Sequence, residues 1–245
     1  MGFLERIAAE VADEVSAKLG SRRSLISAVE GAEGVPVIAE IKWSSPSAGR
    51  IRDPSSPVEI GKAMVRGGAV GISVLAERRF FNGDPRAIAE LRREVDVPIL
   101  YKGFVVHPYQ LFEAATLGSD AVLLIARLLG DRLRDFMRLA EDLGMESLVE
   151  VFSPEEVRQA LNAGARLVGI NNRDLETLEV DISRTERLAG LIPDEVTLVS
   201  ESGISTVEDV RRVMAAGADA ILVGTSIMRA ANVEEKVREL VGALR

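Results

Sequence analysis

Eight short apolar runs rich in β-branched residues recur along the chain, separated by stretches long enough for a helix. Continuous apolar strands that alternate with helices are typical of a parallel sheet buried on both faces. The length of 245 residues matches the roughly 250 residues of a (β/α)8 barrel. We therefore predict one α/β domain over residues 1–245, a single (β/α)8 TIM barrel, with an open doubly wound sheet as the structural alternative. The predicted strands are residues 35–41, 71–75, 98–101, 121–125, 147–151, 167–170, 197–200 and 220–223.

Residues 1–34, which precede the first predicted strand, are expected to form an extra N-terminal helical segment. Apolar residues recur at helical spacing over residues 3–19, and a second, shorter helix is predicted around residues 24–30. Acidic residues throughout this segment are unlike the basic start and continuous apolar stretch of a signal peptide. No apolar run approaches the roughly 20 residues that cross a bilayer. The sequence therefore predicts a cytoplasmic chain with no membrane partner.

The composition argues against several classes of function. The formal net charge is −8 and no cluster of lysines and arginines is visible, whereas nucleic-acid backbones are bound through a basic face. Nucleic acid is therefore not an expected partner. The chain contains no cysteine, which excludes disulfides, thiolate zinc sites and cysteine nucleophiles and fits a reducing compartment.

Ionisable residues follow several of the predicted strands. Active sites of (β/α)8 barrels lie at the C-terminal ends of the strands, so these side chains should converge on one mouth. Taken singly, each of these residues is equally well explained as a solvent-exposed residue at the end of a strand. Together they would have to pair, because buried unpaired charges are costly, and such clusters are where acid–base chemistry is expected. The ionisable residues are Glu40, Lys42, Lys102, Glu150, Arg173 and Glu201, and the polar residues Asn171 and Ser202 accompany them.

Two glycine-containing turns, SESGIS at 200–205 and VGTSIM at 223–228, follow the last two predicted strands. Barrels often bind phosphate there, through backbone N–H groups of these loops and a short extra helix. Gly203 and Gly224 let the backbone approach a ligand, while Ser202, Thr225 and Ser226 offer hydroxyl and amide groups. The shared position of the turns favours a phosphate site over two ordinary turns.

Two other features favour structural roles. His107, the only histidine, precedes Pro108 at a predicted helix start, which favours helix capping over catalysis. The GGAVG segment at 67–71 lacks the spacing and context of a dinucleotide-binding loop and is predicted to end a helix.

Taken together, the motifs at the strand ends resemble those of the indole-3-glycerol phosphate synthase family. VIAEIKWSSPSAG carries the E-x-K and S-P-S elements of its first strand, and SVLAERRFFNGD, PILYKGFVV, SLVEVFSPEEV, GINNRDLETLEV, SESGI and ILVGTSIM resemble its later signatures. The resemblance covers nearly the whole chain beyond residue 24. It implies closure of the pyrrole ring of 1-(2-carboxyphenylamino)-1-deoxyribulose 5-phosphate, with loss of carbon dioxide and water and without a metal or cofactor. A small phosphorylated molecule is thus the expected partner, and we expect a monomer.

The resemblance also implies a role for each site residue. Lys102 would be the general acid that protonates the ketose carbonyl, and Glu150 its acid–base partner in dehydration. Lys42 would hold the substrate carboxylate, while Glu40 and Glu201 would fix the lysines and the substrate hydroxyls. The remaining positions would bind polar groups of the substrate (Asn171, Arg173, Ser202), line an aromatic pocket (Phe81, Phe104) and grip phosphate (Ser45, Gly203, Gly224, Thr225).

Four positions depart from the family pattern. Gly103 stands where an aspartate usually follows the catalytic lysine, and Ala76 where threonine is usual. Trp43 and Tyr101 also differ, and from strand parity both should point away from the barrel axis. The alternative is a diverged or engineered pocket on the same barrel, using a Schiff-base lysine for a retro-aldol reaction or a carboxylate for proton abstraction such as a Kemp elimination. A phosphate-ligand binding barrel without turnover is the third hypothesis.

Overall fold

Eight parallel strands close into a barrel in the computed structural model, which describes residues 6–7, 22–46, 49–53 and 55–244. The first strand, β1 (Val37–Ile41), pairs with β2 (Gly71–Leu75) on one side and with the last strand, β8 (Ala220–Val223), on the other. Because the first and last strands pair, the predicted (β/α)8 barrel is confirmed and the open sheet is excluded. The strands between them are β3 (Ile99–Lys102), β4 (Ala121–Ile125), β5 (Glu146–Val151), β6 (Leu167–Asn171) and β7 (Thr197–Glu201).

The observed strands differ from the predicted ones by one or two residues at their ends. β1 begins at Val37 rather than at residue 35, since Pro36 has no N–H group to donate to a ladder. β3 continues through Lys102, because this residue is still paired with Leu75 of β2. The charged residue Lys102 is thus part of the barrel wall rather than of the loop that follows β3.

Helices connect the strands and form the outer layer. The helix α1 (Leu25–Glu30) precedes the barrel, and the others follow the strands in turn. They are α2 (Pro57–Arg66), α3 (Arg86–Leu91), α4 (Pro108–Leu117), α5 (Ala126–Leu129), α6 (Leu133–Asp142), α7 (Pro154–Ala163), α8 (Ser183–Leu188), α9 (Val207–Ala215), α10 (Thr225–Arg229) and α11 (Val233–Val241), with short 3-10 turns at Gly130–Arg132 and Ala189–Leu191.

Local signals in the sequence explain where these helices begin and end. His107 caps α4, since its Nδ1 accepts the N–H of Tyr109 at 3.1 Å, so the predicted capping role of this residue is confirmed. The GGAVG segment ends α2, as predicted, with Gly68 at a φ of 99°. Gly118 and Gly164 end α4 and α7 in the left-handed conformation that glycine adopts without steric cost.

Alternating side chains divide the core into two layers. One set fills the barrel interior, and the other packs between the strands and the helices. Tyr101 belongs to the outer layer, where its hydroxyl donates to Glu113 of α4 at 2.9 Å, and Trp43 packs against the same layer. Both orientations predicted from strand parity are confirmed. The interior set includes Ile38, Leu100, Leu123, Leu148, Leu167, Val199 and Leu222.

The short helix α1 closes the N-terminal end of the barrel. Ser24 caps it, and Leu25 is fully buried against the interior layer. The carboxylate of Glu146, the first residue of β5, accepts the N–H of Leu25 at 2.7 Å. This confirms the helix predicted around residues 24–30, whereas the one predicted over residues 3–19 lies outside the described residues apart from 6 and 7.

None of the helices within the described ranges is long and apolar enough to cross a bilayer.

Candidate active site

A cavity of about 700 Å³ opens at the C-terminal ends of the strands. All the site residues predicted from the sequence line this one cavity, because the closed barrel brings the tops of distant strands together. They are Glu40, Lys42, Ser45, Phe81, Lys102, Phe104, Glu150, Asn171, Arg173, Glu201, Ser202, Gly203, Gly224 and Thr225.

Lys102 lies between two carboxylates. Its Nζ is 2.5 Å from Glu201 Oε2 and 3.4 Å from Glu150 Oε2. The lysine side chain is 14% exposed, against 5% for Glu150 and 1% for Glu201. The three residues come from β3, β5 and β7 and point into the barrel, so the ion pairs form in a site largely withdrawn from water.

Burial and charge act in opposite directions on this cluster. Burial disfavours the ammonium of Lys102, but the carboxylates of Glu201, Glu150 and Glu40 outweigh burial and raise the pKa of Lys102. Burial raises the pKa of Glu201 to about 7; repulsion from Glu150 and Glu40 adds to this, and attraction to Lys102 opposes it. The lysine is therefore charged at neutral pH. The raised pKa brings the titration of Glu201 close to neutral pH.

A second ion pair lies at the top of β1. Lys42 Nζ is 2.6 Å from Glu40 Oε1, and the Glu40 side chain is 2% exposed. A Cβ atom added at Gly224 would overlap the Glu40 carboxylate. The glycine at the top of β8 is thus needed to leave room for this buried acid.

Gly169 on β6 leaves room for the buried carboxylate of Glu201. A Cβ atom added at Gly169 would overlap Glu201 Oε1, which is buried and has no hydrogen-bond partner among the described residues. Strand parity places Gly169 on the interior face, two residues before Asn171. The missing side chain therefore creates the space that the carboxylate of Glu201 occupies beside Lys102.

Asn171 and Arg173 shape the wall above β6. Asn171 Oδ1 accepts the backbone N–H of Arg173 at 2.9 Å, and the Arg173 guanidinium donates to the Leu178 carbonyl at 2.7 Å. Burial lowers the pKa of Arg173, and the charge of Glu40 opposes that shift. An arginine stays charged even so, and this one adds a positive charge to the cavity wall.

The turns after β7 and β8 meet at the rim of the cavity. Ser202 and Gly203 both have positive φ angles, 67° and 85°. The Ser226 hydroxyl donates to the Ile204 carbonyl at 3.1 Å, which ties the first turn of α10 to the turn after β7. Arg229, at the end of α10, also lines the cavity and supplies a charge that the sequence-based prediction missed.

Two aromatic rings line another part of the wall. The centroids of Phe81 and Phe104 lie 5.9 Å apart, with the rings tilted by 38°. The loop that carries Phe81 is held by the Glu77 carboxylate, which accepts the N–H groups of Phe80 and Phe81 at 2.6 and 3.1 Å. Burial of Glu77 opposes its charge, but these backbone hydrogen bonds prevail and lower its pKa. Glu77 was not among the predicted site residues.

Two of the departures from the family pattern, Ala76 and Gly103, lie next to each other at the top of β2 and β3. A Cβ atom at Gly103 would lie 3.2 Å from the Tyr101 ring and 3.5 Å from Ala76 Cβ. A Cβ atom at position 103 would therefore require the tyrosine ring to shift by a few tenths of an ångström. Among the described residues, no group of three or more carboxylate and histidine side chains is arranged to hold a metal ion.

Comparison with known proteins gives one consistent family. The family model described as indole-3-glycerol phosphate synthase matches residues 4–240. A protein of that name from Aquifex aeolicus is 39% identical over an alignment of 257 positions, which covers 99% of this chain and all of the relative. Another from Thermoanaerobacter sp. is 44% identical over 209 residues, 85% of this chain and 80% of the relative.

A solved structure supports the fold. Thiamine phosphate pyrophosphorylase from Pyrococcus furiosus superimposes with a TM-score of 0.62 over 84% of this chain and 93% of that protein. At 19% identity, this similarity concerns the barrel architecture alone.

Proposed function

Because the chain belongs to the indole-3-glycerol phosphate synthase family, we propose that the charged cavity closes the indole ring with Lys102 as general acid. The chain is an enzyme, a carbon–carbon lyase of tryptophan biosynthesis that acts on a small phosphorylated substrate. The observation that carries the residue assignment is the buried ammonium of Lys102 between Glu150 and Glu201.

The chemistry needs a proton donor next to the ketose carbonyl. Protonation of the carbonyl oxygen makes its carbon electrophilic, and the ring carbon that bears the carboxylate attacks it. Loss of carbon dioxide returns the electron pair of the broken bond to the ring. The new hydroxyl then leaves as water once an acid protonates it and a base removes a proton from the neighbouring carbon. A lysine and a carboxylate 3.4 Å apart, Lys102 and Glu150, supply that acid and that base.

The charged state of Lys102 favours this reaction over Schiff-base chemistry. A nucleophilic lysine must lose its proton, and enzymes achieve this by lowering its pKa. The carboxylates around Lys102 raise its pKa instead. The same ammonium is well suited to stabilise the negative charge that develops on the carbonyl oxygen.

The rest of the cavity matches an anionic, partly aromatic substrate. We assign the substrate carboxylate to Lys42, with Glu40 holding that lysine at 2.6 Å. Phe81 and Phe104 provide an apolar wall for the anthranilate ring. The remaining polar positions would bind hydroxyl groups (Asn171, Arg173, Ser202) and phosphate (Ser45, Gly203, Gly224, Thr225).

Fluorescence of the indole product tests this proposal directly. The purified chain is given the carboxyphenylamino-deoxyribulose phosphate, and the rise in indole fluorescence is followed at neutral pH. We expect turnover that saturates with substrate. No product from protein whose circular dichroism shows an intact fold would contradict ring closure and favour a binding barrel or an altered chemistry.

A crystal soaked in phosphate or sulfate tests the anion assignment separately. We expect density between the turns that carry Gly203 and Gly224, where loop N–H groups and the start of α10 converge. Anion density elsewhere in the cavity, with none at these turns, would refute the phosphate site and leave the ring-closing assignment to the fluorescence assay.

A further inference from the structure

Asn172 lies between two residues of the cavity wall but faces the other way. Asn171 and Arg173 line the cavity, whereas Asn172 does not and is fully buried behind it. Alternation of side chains at the end of β6 produces this arrangement. A buried amide needs partners for every one of its polar atoms, so its contacts identify what it holds.

Four hydrogen bonds occupy the whole amide. Oδ1 accepts the backbone N–H of Thr185 at 3.1 Å and its hydroxyl at 2.9 Å. Nδ2 donates to the Ser200 hydroxyl and to the Ser202 carbonyl, both at 3.1 Å. The orientation of the amide is defined, because a backbone N–H can only donate and a carbonyl can only accept. One side chain thereby joins α8, the end of β7 and the turn that follows it.

The turn held in this way is one with an unfavourable backbone. Ser202 has a φ of 67°, in the left-handed region that residues other than glycine rarely adopt. Gly203 follows with a φ of 85°. Such residues persist when surrounding contacts impose the conformation, and they are common at ligand sites. The backbone N–H of Asn172 also donates to the Glu201 carbonyl at 2.9 Å. Asn172 therefore fixes two successive carbonyl groups, those of Glu201 and Ser202, immediately before Gly203.

We propose that Asn172 is the positioning residue of the anion-binding turn: it holds the Ser202 carbonyl so that residues 202–203 present their backbone to the substrate phosphate, which Asn172 itself does not touch. This inference rests on the proposed phosphate site at that turn. It predicts that phosphate affinity depends on the amide N–H group of a residue outside the cavity.

The test is Asn172→Asp, which keeps the shape of the side chain and removes the N–H groups that reach Ser202 and Ser200. Isothermal titration with inorganic phosphate should give a Kd at least tenfold higher than that of the wild type. A tenfold change in Kd corresponds to a loss of about 1.4 kcal/mol in binding free energy. In the ring-closing assay, KM should rise by a similar factor while kcat stays within about twofold, because a contact made equally in ground and transition states affects KM alone.

Ser200→Ala is the matched control. It removes the hydroxyl that contacts Asn172 and Thr185 in the same network but leaves the bond from Asn172 to the Ser202 carbonyl. Both variants should lower the melting temperature, and only Asn172→Asp should weaken phosphate binding. If Asn172→Asp does not fold, Asn172→Ser, which is smaller and uncharged, replaces it with the same expected loss of affinity.

The outcomes separate this inference from the one on which it rests. Wild-type protein that binds no phosphate would overturn the phosphate site itself. Phosphate binding by wild type with unchanged affinity in the folded Asn172 variants would overturn the positioning role of Asn172 alone. Equal losses of affinity in Ser200→Ala and Asn172→Asp would also overturn it, because general loosening of the network would then explain both.

Discussion

Replacing Lys102 by methionine should separate the proposed catalytic role of this residue from its structural one. The change removes the ammonium that lies 2.5 Å from Glu201 and 3.4 Å from Glu150 and keeps a side chain of similar length. Loss of a general acid costs roughly a hundredfold to ten-thousandfold in rate. We therefore expect kcat to fall by at least about a hundredfold, measured by indole fluorescence under saturating substrate.

The same change should destabilise the fold in a pH-dependent way. Removing one partner of a buried ion pair leaves an uncompensated charge and typically costs about 3–5 kcal/mol. Glu201 is 1% exposed, so loss of the ammonium leaves a buried carboxylate without its ion-pair partner. Protonation of Glu201 relieves this cost. Its pKa is already raised to about 7 and should rise further in the variant.

The direction of the pH effect follows from that raised pKa. A carboxyl group whose pKa is higher in the folded state than in the unfolded state destabilises the fold as pH rises. The stability deficit of Lys102→Met should therefore be small in acid and grow as the pH rises through about 7. Urea unfolding between pH 5 and pH 9 measures it, and adding Glu201→Gln should restore stability without restoring activity. A near-normal rate in folded Lys102→Met would remove this lysine from the mechanism, and a pH-independent deficit would refute the ion-pair reasoning.

Three further predictions concern the surroundings of this cluster. Gly169→Ala should lower kcat at least tenfold, because the added methyl group displaces the Glu201 carboxylate. Gly190→Ala, where no atom lies within 4 Å of the added Cβ, should leave steady-state kinetics unchanged. Equal effects of the two substitutions would contradict the displacement of Glu201. The value of kcat/KM should fall as the pH drops through about 7, where Glu201 gains a proton. Glu201→Gln should not show this decrease at low pH. A decrease that persists in the variant would assign the titration to another group. Gly103→Asp with Ala76→Thr should raise kcat/KM about tenfold, roughly 1.4 kcal/mol of transition-state stabilisation. Glycine at position 103 leaves the backbone next to Lys102 more conformational freedom than any other residue would, and imprecise placement of a catalytic group is costly; no gain would mean that the pocket is tuned to its present residues.

Much of the architecture could be predicted from the sequence because it depends on local periodicity. Apolar β-branched runs predict the eight strands with errors of at most one or two residues at their ends. Strand parity predicted which side chains face inward, and it placed Tyr101 and Trp43 correctly in the outer layer. The convergence of the charged residues follows as well, because every parallel strand of a closed barrel ends at the same rim.

Partners within the cavity depend instead on barrel closure and could not be predicted from spacing along the chain. Only the tertiary structure joins Lys102 to Glu201, a residue 99 positions away, and leaves Glu150 as the more distant carboxylate. The space that Gly169 leaves for a carboxylate, and the amide of Asn172 behind the wall, also depend on which side chains meet across neighbouring strands. These contacts determine the pKa of Glu201 and the shape of the Ser202 turn, because burial and hydrogen-bond geometry are properties of the closed barrel rather than of any one segment.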